Sequence, residues 1–396
     1  MTKLVELNKF YELLEKLQAG ENVPDINLEH YNIGSIGVKL LSQALKSNNT
    51  VKEIYLCGNA IGDAGTELIA EFLQNNNTVT TIDISDNNIG NIGICKLAEA
   101  IKDNNTITEI YLNGNNIGDM GACQLAEALK NHNITILNLD ENNIKDGGAE
   151  GLAMFLENNN SIYWLCLSDN NIGVKGVGEL AKALKHNKSM EILDISCNMY
   201  GVEGARLLSN ALERNEALIS LDITDAGIGA EGMELLSQAL RHNKVLSEIN
   251  LNGNNIGCEG ISLLIKGLET NSTLDYIKLK YNNIGCHGAV ALAWFLANNS
   301  TIKYIELEGN DISDFGIVQL VKALEINRTI KEIDFGYVDM SNDRAMELIK
   351  ILESNKVVSE ITMYFEEETI SNEIVELLIK ALDIHDKKVR DTLSVA

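Results

Sequence analysis

The chain has 396 residues, of which 45% are hydrophobic and only one, Pro24, is proline. A chain of this length often forms several domains, but this apolar content can fill a continuous core and the scarcity of proline argues against disordered linkers. The formal net charge of −25 argues against nucleic acid and membrane surfaces as partners, because binding phosphate requires clustered lysine and arginine.

The N-terminal segment predicts a helix rather than a targeting sequence. Residues 1–18 alternate charged and apolar residues and contain no apolar stretch of the kind found in secretory signals or membrane spans. The seven cysteines are spread along the chain without close pairs, which indicates a reducing environment rather than a disulfide or zinc framework. We therefore expect a cytoplasmic protein without a membrane-spanning segment.

After this helix, one unit returns with a period of about 28 residues, which is within the range of known repeat architectures. One step, from Asn115 to Asn142, is a single residue shorter. A repeat this regular predicts an elongated array in which each unit contacts only its neighbours. The repeat is marked by an asparagine that follows a short apolar segment: Asn59, Asn87, Asn115, Asn142, Asn170, Asn198, Asn254, Asn282 and Asn310.

Each unit predicts a strand, a turn and a helix. The segment before the asparagine, as in 110–112, alternates in the manner of a strand, and the pattern Asn-Asn-Ile-Gly-x-x-Gly that follows is typical of a turn. We expect the second glycine to open the helix. In 121–130 the apolar Leu125 and Leu129 share one side, opposite Glu127, as in an amphipathic helix packed on a sheet.

The strands are predicted at positions that follow the same spacing: 25–28, 53–56, 81–84, 109–112, 136–139, 164–167, 192–195, 220–223, 248–251, 276–279, 304–307, 332–335 and 360–363. Parallel strands joined by helices coil with a right hand. Because strands lie ~4.8 Å apart and helices are ~10 Å wide, we expect an α/β horseshoe with the parallel sheet on its concave face and helices on its convex face.

This strand–asparagine–helix pattern over 25–365 resembles the leucine-rich repeat family, specifically its ribonuclease-inhibitor-like subfamily, whose units are roughly 28 to 29 residues long. Ran GTPase-activating proteins, nucleotide-binding immune receptors and eukaryotic-like effectors of intracellular bacteria contain such units. The resemblance implies an N-terminal helical cap over 1–22, a solenoid over 23–365, and a C-terminal cap helix with a tail over 366–396.

No catalytic or metal site can be assembled from the sequence. The Gly-x-x-Gly turns return in nearly every unit, so they are structural, and the calcium-loop pattern that begins at Asp83 lacks a glutamate at its twelfth position. A Ran-type activator that supplies an arginine in trans would need one near the strand ends. We place all six arginines on helices, return loops or the tail, which leaves an arginine-finger role unsupported. We expect a non-enzymatic protein without a cofactor.

The candidate binding residues are those that interrupt the repeat on the strand face. Tyrosines gather towards the C-terminal half, where two lysines add a local positive spot to an acidic surface; tyrosine is a favoured interface anchor. A second, apolar strip runs through Ile136, Trp164 and Ile192 beside Cys166. The predicted partner-binding residues are Tyr276, Lys278, Lys280, Tyr281, Tyr304, Glu306, Asp334, Tyr337, Trp164 and Tyr111.

We therefore expect a monomeric, non-enzymatic scaffold that binds a protein of basic or mixed charge on its concave face. The resemblance leaves two alternatives open. One is a GTPase-activating or regulatory protein of the Ran type. The other is an effector of an intracellular bacterium that binds a host protein in the host cytosol.

Overall fold

The computed structural model describes residues 2–46, 48–354, 360–365 and 370–383. The chain divides into two compact units, unit 1 over 1–199 and unit 2 over 200–396. Within each unit short strands alternate with helices along the chain.

The described part of unit 1 contains seven strands and the helices between them. Its strands are β1 (Asp25–Asn27), β2 (Glu53–Tyr55), β3 (Thr81–Asp83), β4 (Glu109–Tyr111), β5 (Ile136–Asn138), β6 (Trp164–Cys166) and β7 (Ile192–Asp194). Its helices are α1 (Thr2–Gln18), α2 (Gly34–Leu45), α3 (Gly62–Leu73), α4 (Asn91–Ile101), α5 (Asp119–Leu129), α6 (Asp146–Asn158) and α7 (Val174–Leu184).

The described part of unit 2 continues the alternation. Its strands are β8 (Ser220–Asp222), β9 (Glu248–Asn250), β10 (Tyr276–Lys278), β11 (Tyr304–Glu306), β12 (Glu332–Val338) and β13 (Glu360–Phe365). Its helices are α8 (Gly201–Leu212), α9 (Gly229–His242), α10 (Gly257–Leu268), α11 (Gly285–Asn298), α12 (Asp314–Ile326), α13 (Asn342–Ser354) and α14 (Asn372–Asp383).

The strands within each unit pair in parallel and in chain order, one repeat apart, so Ile277 on β10 lies opposite Ile305 on β11. The α/β class and the thirteen predicted strand positions are confirmed for the described residues. Most strands end one residue earlier than predicted. β12 and β13 run further, to Val338 and Phe365, past an irregularity in their pairing between Asp334 and Gly336.

The repeated asparagine binds neighbouring units together through buried hydrogen bonds. Asn59, which is fully buried, donates from Nδ2 to the carbonyls of Leu28 and Leu56 at 2.7 and 2.9 Å. Its Oδ1 accepts from the N–H of Ile33 at 3.1 Å. The side chain thus satisfies backbone groups of two repeats that would otherwise be buried without partners.

A second asparagine does the same at the return loops after the helices. Asn104 donates to the carbonyls of Leu73 and Asn76, both at 2.8 Å, and accepts from the N–H of Thr106 at 2.9 Å. Its side chain is buried. The recurring Asn-x-Thr triplets are therefore loop-forming elements of the repeat, since this amide is occupied in the fold.

The helices begin in two ways, and the prediction that the second glycine opens them is wrong. Where the preceding repeat supplies Asp63, its Oδ1 accepts from the N–H groups of Gly90 and Gly93 at 2.7 and 3.0 Å, and Gly90 is extended with φ −102°. Before α9 the residue equivalent to Asp63 is Val202, which has no side-chain acceptor. There Gly229 takes φ +61° and is itself the first helical residue. In both forms the second glycine lies within the first turn.

Helices α1 and α14 lie in the segments that were predicted to cap the solenoid. On α1 the side chains of Phe10, Leu14 and Leu17 are buried, whereas Leu7 is half exposed and the side chain of Leu4 lies outside the described part. α14 lies within the predicted C-terminal segment over 366–396, of which residues 366–369 and 384–396 fall outside the described residues. None of the described helices combines the length and apolar character needed to span a bilayer.

Candidate protein-binding surface

The central residue of each strand points into the core, and its two flanking residues face the other way. In β10, β11 and β12 the central isoleucines are buried, while the flanking side chains are half-buried. Because the strands pair in register, the flanking residues form rows across unit 2. We call the following set the tyrosine–acid surface: Tyr276, Lys278, Tyr304, Glu306 and Asp334.

The two tyrosines of this surface form one aromatic contact. Tyr276 lies opposite Tyr304, with ring centroids 5.4 Å apart and planes inclined by 46°. The Lys278 ammonium lies 4.8 Å from the Tyr276 ring centroid, and the Tyr276 hydroxyl donates to Glu306. Burial and this hydrogen bond both raise the pKa of Tyr276, so the phenol remains protonated and acts as a donor.

The lysines are held in ion pairs within the fold, which differs from the expected local positive spot. Lys278 Nζ lies 2.8 Å from Glu248. Lys280 Nζ is surrounded by three carboxylates, Asp334 at 2.7 Å, Glu308 at 3.0 Å and Glu306 at 3.3 Å.

The surface is therefore acidic despite Lys278 and the neighbouring Lys280. Burial lowers the pKa of Lys280, but Asp334 and Glu308 outweigh it and the pKa is raised, so this ammonium stays charged. The two positive charges face four carboxylates in these pairs. Its chemistry suits a basic surface on a partner better than an acidic one.

Two further predicted residues lie at the turn edge, Tyr281 after the end of β10 and Tyr337 near the end of the longer β12. Tyr281 is 59% exposed and adopts φ +55°, and Tyr337 is 73% exposed. The Tyr337 ring packs 5.3 Å from Tyr364 on β13. Tyrosine is a favoured interface anchor, so these two exposed rings mark this edge as a candidate contact region.

The apolar strip predicted in unit 1 is only partly accessible. Ile136 and Cys166 are buried, at 6% and 5% exposure, and Trp164 and Ile192 are half-buried. Tyr111 is half-buried with its hydroxyl 3.3 Å from Glu109, and burial followed by this carboxylate raises its pKa to about 12. The strip lacks an exposed apolar centre because one flanking residue of β5 and one of β6 are buried.

Sequence reasoning missed a carboxylate pair in unit 1, formed by Asp140 after β5 and Asp194 at the end of β7. The Oδ1 of Asp140 accepts from the N–H of Ser168 at 2.6 Å. Burial, followed by repulsion from Asp194, raises the pKa of Asp140 to about 7. Both residues belong to ordinary polar positions of the repeat, so only the packing of adjacent turns reveals the interaction.

Two structural findings bear on catalysis. The described residues contain no cluster of three or more His, Cys, Asp or Glu side chains suited to a metal ion. Their arginines lie on helices α8, α9 and α13 or in the loops after α8 and α12, and Arg390 is outside the described part.

Comparison with known proteins identifies the repeat. A family model described as "Leucine Rich repeat" matches six segments, at residues 75–98, 103–126, 130–153, 214–237, 242–264 and 298–321. A search of curated protein sequences found no match.

Two solved structures show the extent of the likeness. A chain from the crystal structure of the Rad7 and Elc1 complex in yeast matches 92% of this chain and 85% of its own length, with 14% identity and a TM-score of 0.54. Leiomodin-1 Actin-Binding Site 2 matches 41% of this chain and 91% of its own length, with 23% identity and a TM-score of 0.35. The six matched segments and the repeated strand–turn–helix units establish that this chain contains leucine-rich repeats.

Proposed function

We propose that this chain is a non-enzymatic scaffold that binds a partner protein through the tyrosine–acid surface of unit 2. The observation that carries the proposal is the paired Tyr276 and Tyr304 rings, set among carboxylates on one accessible strand row. Aromatic side chains of this kind supply large contact area at low entropic cost and dominate many interfaces.

The charge distribution supports a basic partner. The chain carries a formal net charge of −25, and the lysines nearest the tyrosines are already paired with carboxylates. An acidic field accelerates encounter with a basic surface and disfavours acidic ones. The repeat length of about 28 residues supports the ribonuclease-inhibitor-like type of repeat, and we propose that the chain acts in the cytoplasm as a monomer.

The comparisons support an interaction role at the level of the fold. The yeast structure of similar fold is titled a complex of Rad7 and Elc1. Leucine-rich repeats present a long row of exchangeable side chains on a repeated backbone, so binding residues can vary without altering the core. In this chain the variable positions of β10 to β12 carry the aromatic and charged residues.

The proposal is tested by affinity purification from cell extract, with quantitative mass spectrometry of the retained proteins. The test variant is Tyr276→Ala/Tyr304→Ala, and the matched variant in unit 1 is Tyr111→Ala/Trp164→Ala. Truncation of anchor residues costs about 2 kcal/mol or more, so a partner retained by wild type should fall at least tenfold with the first variant and remain with the second.

The opposite pattern would place binding in unit 1 and contradict the proposed surface. Equal retention by all three proteins would exclude both strand surfaces as the determinant. Circular dichroism melting of each variant establishes that the comparison is made between folded proteins.

A further inference from the structure

A cleft of about 330 Å³ lies at the turn edge of unit 2, beyond the ends of β10 and β11 and along β12. This volume is at the lower end of the range for ligand pockets in proteins, roughly 300 to 1,000 Å³. Its apolar lining includes Leu307, Ile317 and Phe335, whose side chains are buried. The cleft is therefore a hollow large enough for one long side chain, with an apolar base.

Two exposed tyrosines line the cleft, and the repeat that lies between theirs has a glycine at the equivalent position. Tyr281, Gly309 and Tyr337 occupy the same place in three consecutive repeats. Gly309 has φ +70°, and a Cβ added there would overlap the Tyr281 ring. The glycine thus lets the Tyr281 ring lie against the backbone and keeps the space between the two tyrosines open.

The same arrangement recurs elsewhere in the chain with other side chains, and at Gly58 an added Cβ would overlap the imidazole ring of His30. At Gly114 an added Cβ would overlap Asp86 of the preceding repeat, and at Gly253 it would overlap Asp225. The last two pairs place a carboxylate over the glycine. In the described repeats from β2 through β12, Tyr281 and Tyr337 are the only aromatic residues at this place.

The charged residues that line the cleft are all acidic. They are Glu308, Asp311 and Asp339. Glu308 shares Lys280 with Asp334 and Glu306, whereas Asp311 and Asp339 are exposed and take part in none of the ion pairs among the described residues. Two tyrosines and two exposed carboxylates thus line a hollow whose described lining includes no lysine or arginine.

We propose that this cleft binds an arginine side chain from a basic segment of a partner protein. This inference rests on the proposed function, because the arginine is assigned to a protein only if the chain binds a partner protein. A guanidinium is flat and weakly hydrated, so it stacks on tyrosine faces while its N–H groups fork to carboxylates. Its aliphatic stem packs on the apolar base near Phe335.

The inference is tested on the full chain with a defined probe, the peptide acetyl-Gly-Gly-Arg-Gly-Gly-amide, in a ligand-observed NMR titration at low ionic strength. Citrulline in place of arginine keeps the shape and removes the charge. We expect the citrulline peptide to bind at least tenfold more weakly. Tyr337→Ala removes a cation–aromatic contact, and Asp311→Asn/Asp339→Asn removes two carboxylates that pair with the guanidinium, so each variant should weaken arginine binding about threefold or more.

Matched controls are taken from unit 1, because none of its residues lines the cleft. Tyr163→Ala removes another exposed tyrosine and Asp169→Asn another exposed carboxylate, and neither should change binding of the arginine peptide. Equal binding of the arginine and citrulline peptides would overturn the inference. So would undiminished binding to both cleft variants.

The outcome is separable from that of the proposed function. If the partner still requires Tyr276 and Tyr304 while the arginine peptide does not bind, the cleft inference fails and the strand surface stands. If the peptide binds as expected while the partner is indifferent to Tyr276 and Tyr304, the cleft stands and the proposed strand surface fails. A cleft variant that melts at the wild-type temperature rules out misfolding as the cause of lost binding.

Discussion

At the residue scale, Lys280 shows how neighbouring repeats determine the role of a side chain. In the sequence it is a positive residue in an acidic chain. In the fold its side chain is 21% exposed, and its ammonium contacts carboxylates from the next two repeats. Such a group stabilises the fold by separating charges that would otherwise repel one another.

Replacing Lys280 with methionine should destabilise the chain by about 2 kcal/mol, since three half-buried carboxylates would lose their shared cation. The measurement is urea unfolding followed by circular dichroism. Lys303→Met is the matched control, because Lys303 is 44% exposed and pairs with Asp275 alone. That change should cost clearly less, since exposed ion pairs contribute little. Equal losses for the two variants would contradict the shared-cation role.

Asp140 provides a pH-dependent prediction at the same scale. Its pKa is raised to about 7 by burial and by Asp194, above the ordinary value of 3.8. The folded state therefore binds more protons than the unfolded state between about pH 4 and 7, and stability falls as pH rises through this window. The charged carboxylate is the destabilising form.

Asp140→Asn should consequently raise the melting temperature at pH 8 and leave it nearly unchanged at pH 4. The amide oxygen can still accept from Ser168, and we expect a gain of roughly 1 kcal/mol after solvent screening. Asp169→Asn, an exposed carboxylate in the next repeat, serves as the control. A gain of the same size at both pH values would contradict the assignment.

At the scale of elements, the two kinds of helix start follow from a residue in the preceding repeat. A carboxylate or amide such as Asp63 or Asn91 accepts from the first N–H groups of the next helix, and the entering residue is extended. Lys145 stands at this place before α6, so a side chain fits there. Without such an acceptor, as before α9, the entering glycine turns into the left-handed region.

This difference predicts that the two entering glycines tolerate replacement by alanine to different degrees. Gly229→Ala should destabilise by about 1 to 2 kcal/mol, because φ is +61° although a Cβ would meet no atom within 4 Å. Gly90→Ala should be nearly neutral, since φ is −102° and its Cβ would lie 3.5 Å from the Asp63 carboxylate. Chemical unfolding of both variants checks this. A tolerated Gly229→Ala would show that the turn can rearrange.

At the scale of the whole molecule, repeated buried asparagines distribute stability over many similar contacts between neighbouring repeats. Each contact is local, so the surface residues can change without altering the core. The net charge of −25 acts over longer distances and promotes encounter with basic partners. Core and surface therefore carry separate tasks, and the residues that depart from the repeat are where partner binding is expected.

The sequence alone determined the fold class and the strand positions. Apolar residues that alternate at period two, and an asparagine at the same place in nearly every repeat, are local signals that recur many times. It also identified Tyr276, Tyr304, Tyr281 and Tyr337 as departures from the repeat. These conclusions require only that equivalent positions adopt equivalent structures.

Only the tertiary structure decided what those departures do. The pairing of Lys280, the burial of Ile136, and the cleft between Tyr281 and Tyr337 depend on contacts between side chains of different repeats. The start of α4 likewise depends on an acceptor in the preceding repeat, Asp63. Spacing fixes where a residue lies along a repeat, but charge, accessibility and cavity shape arise from the distances between repeats, which only packing sets.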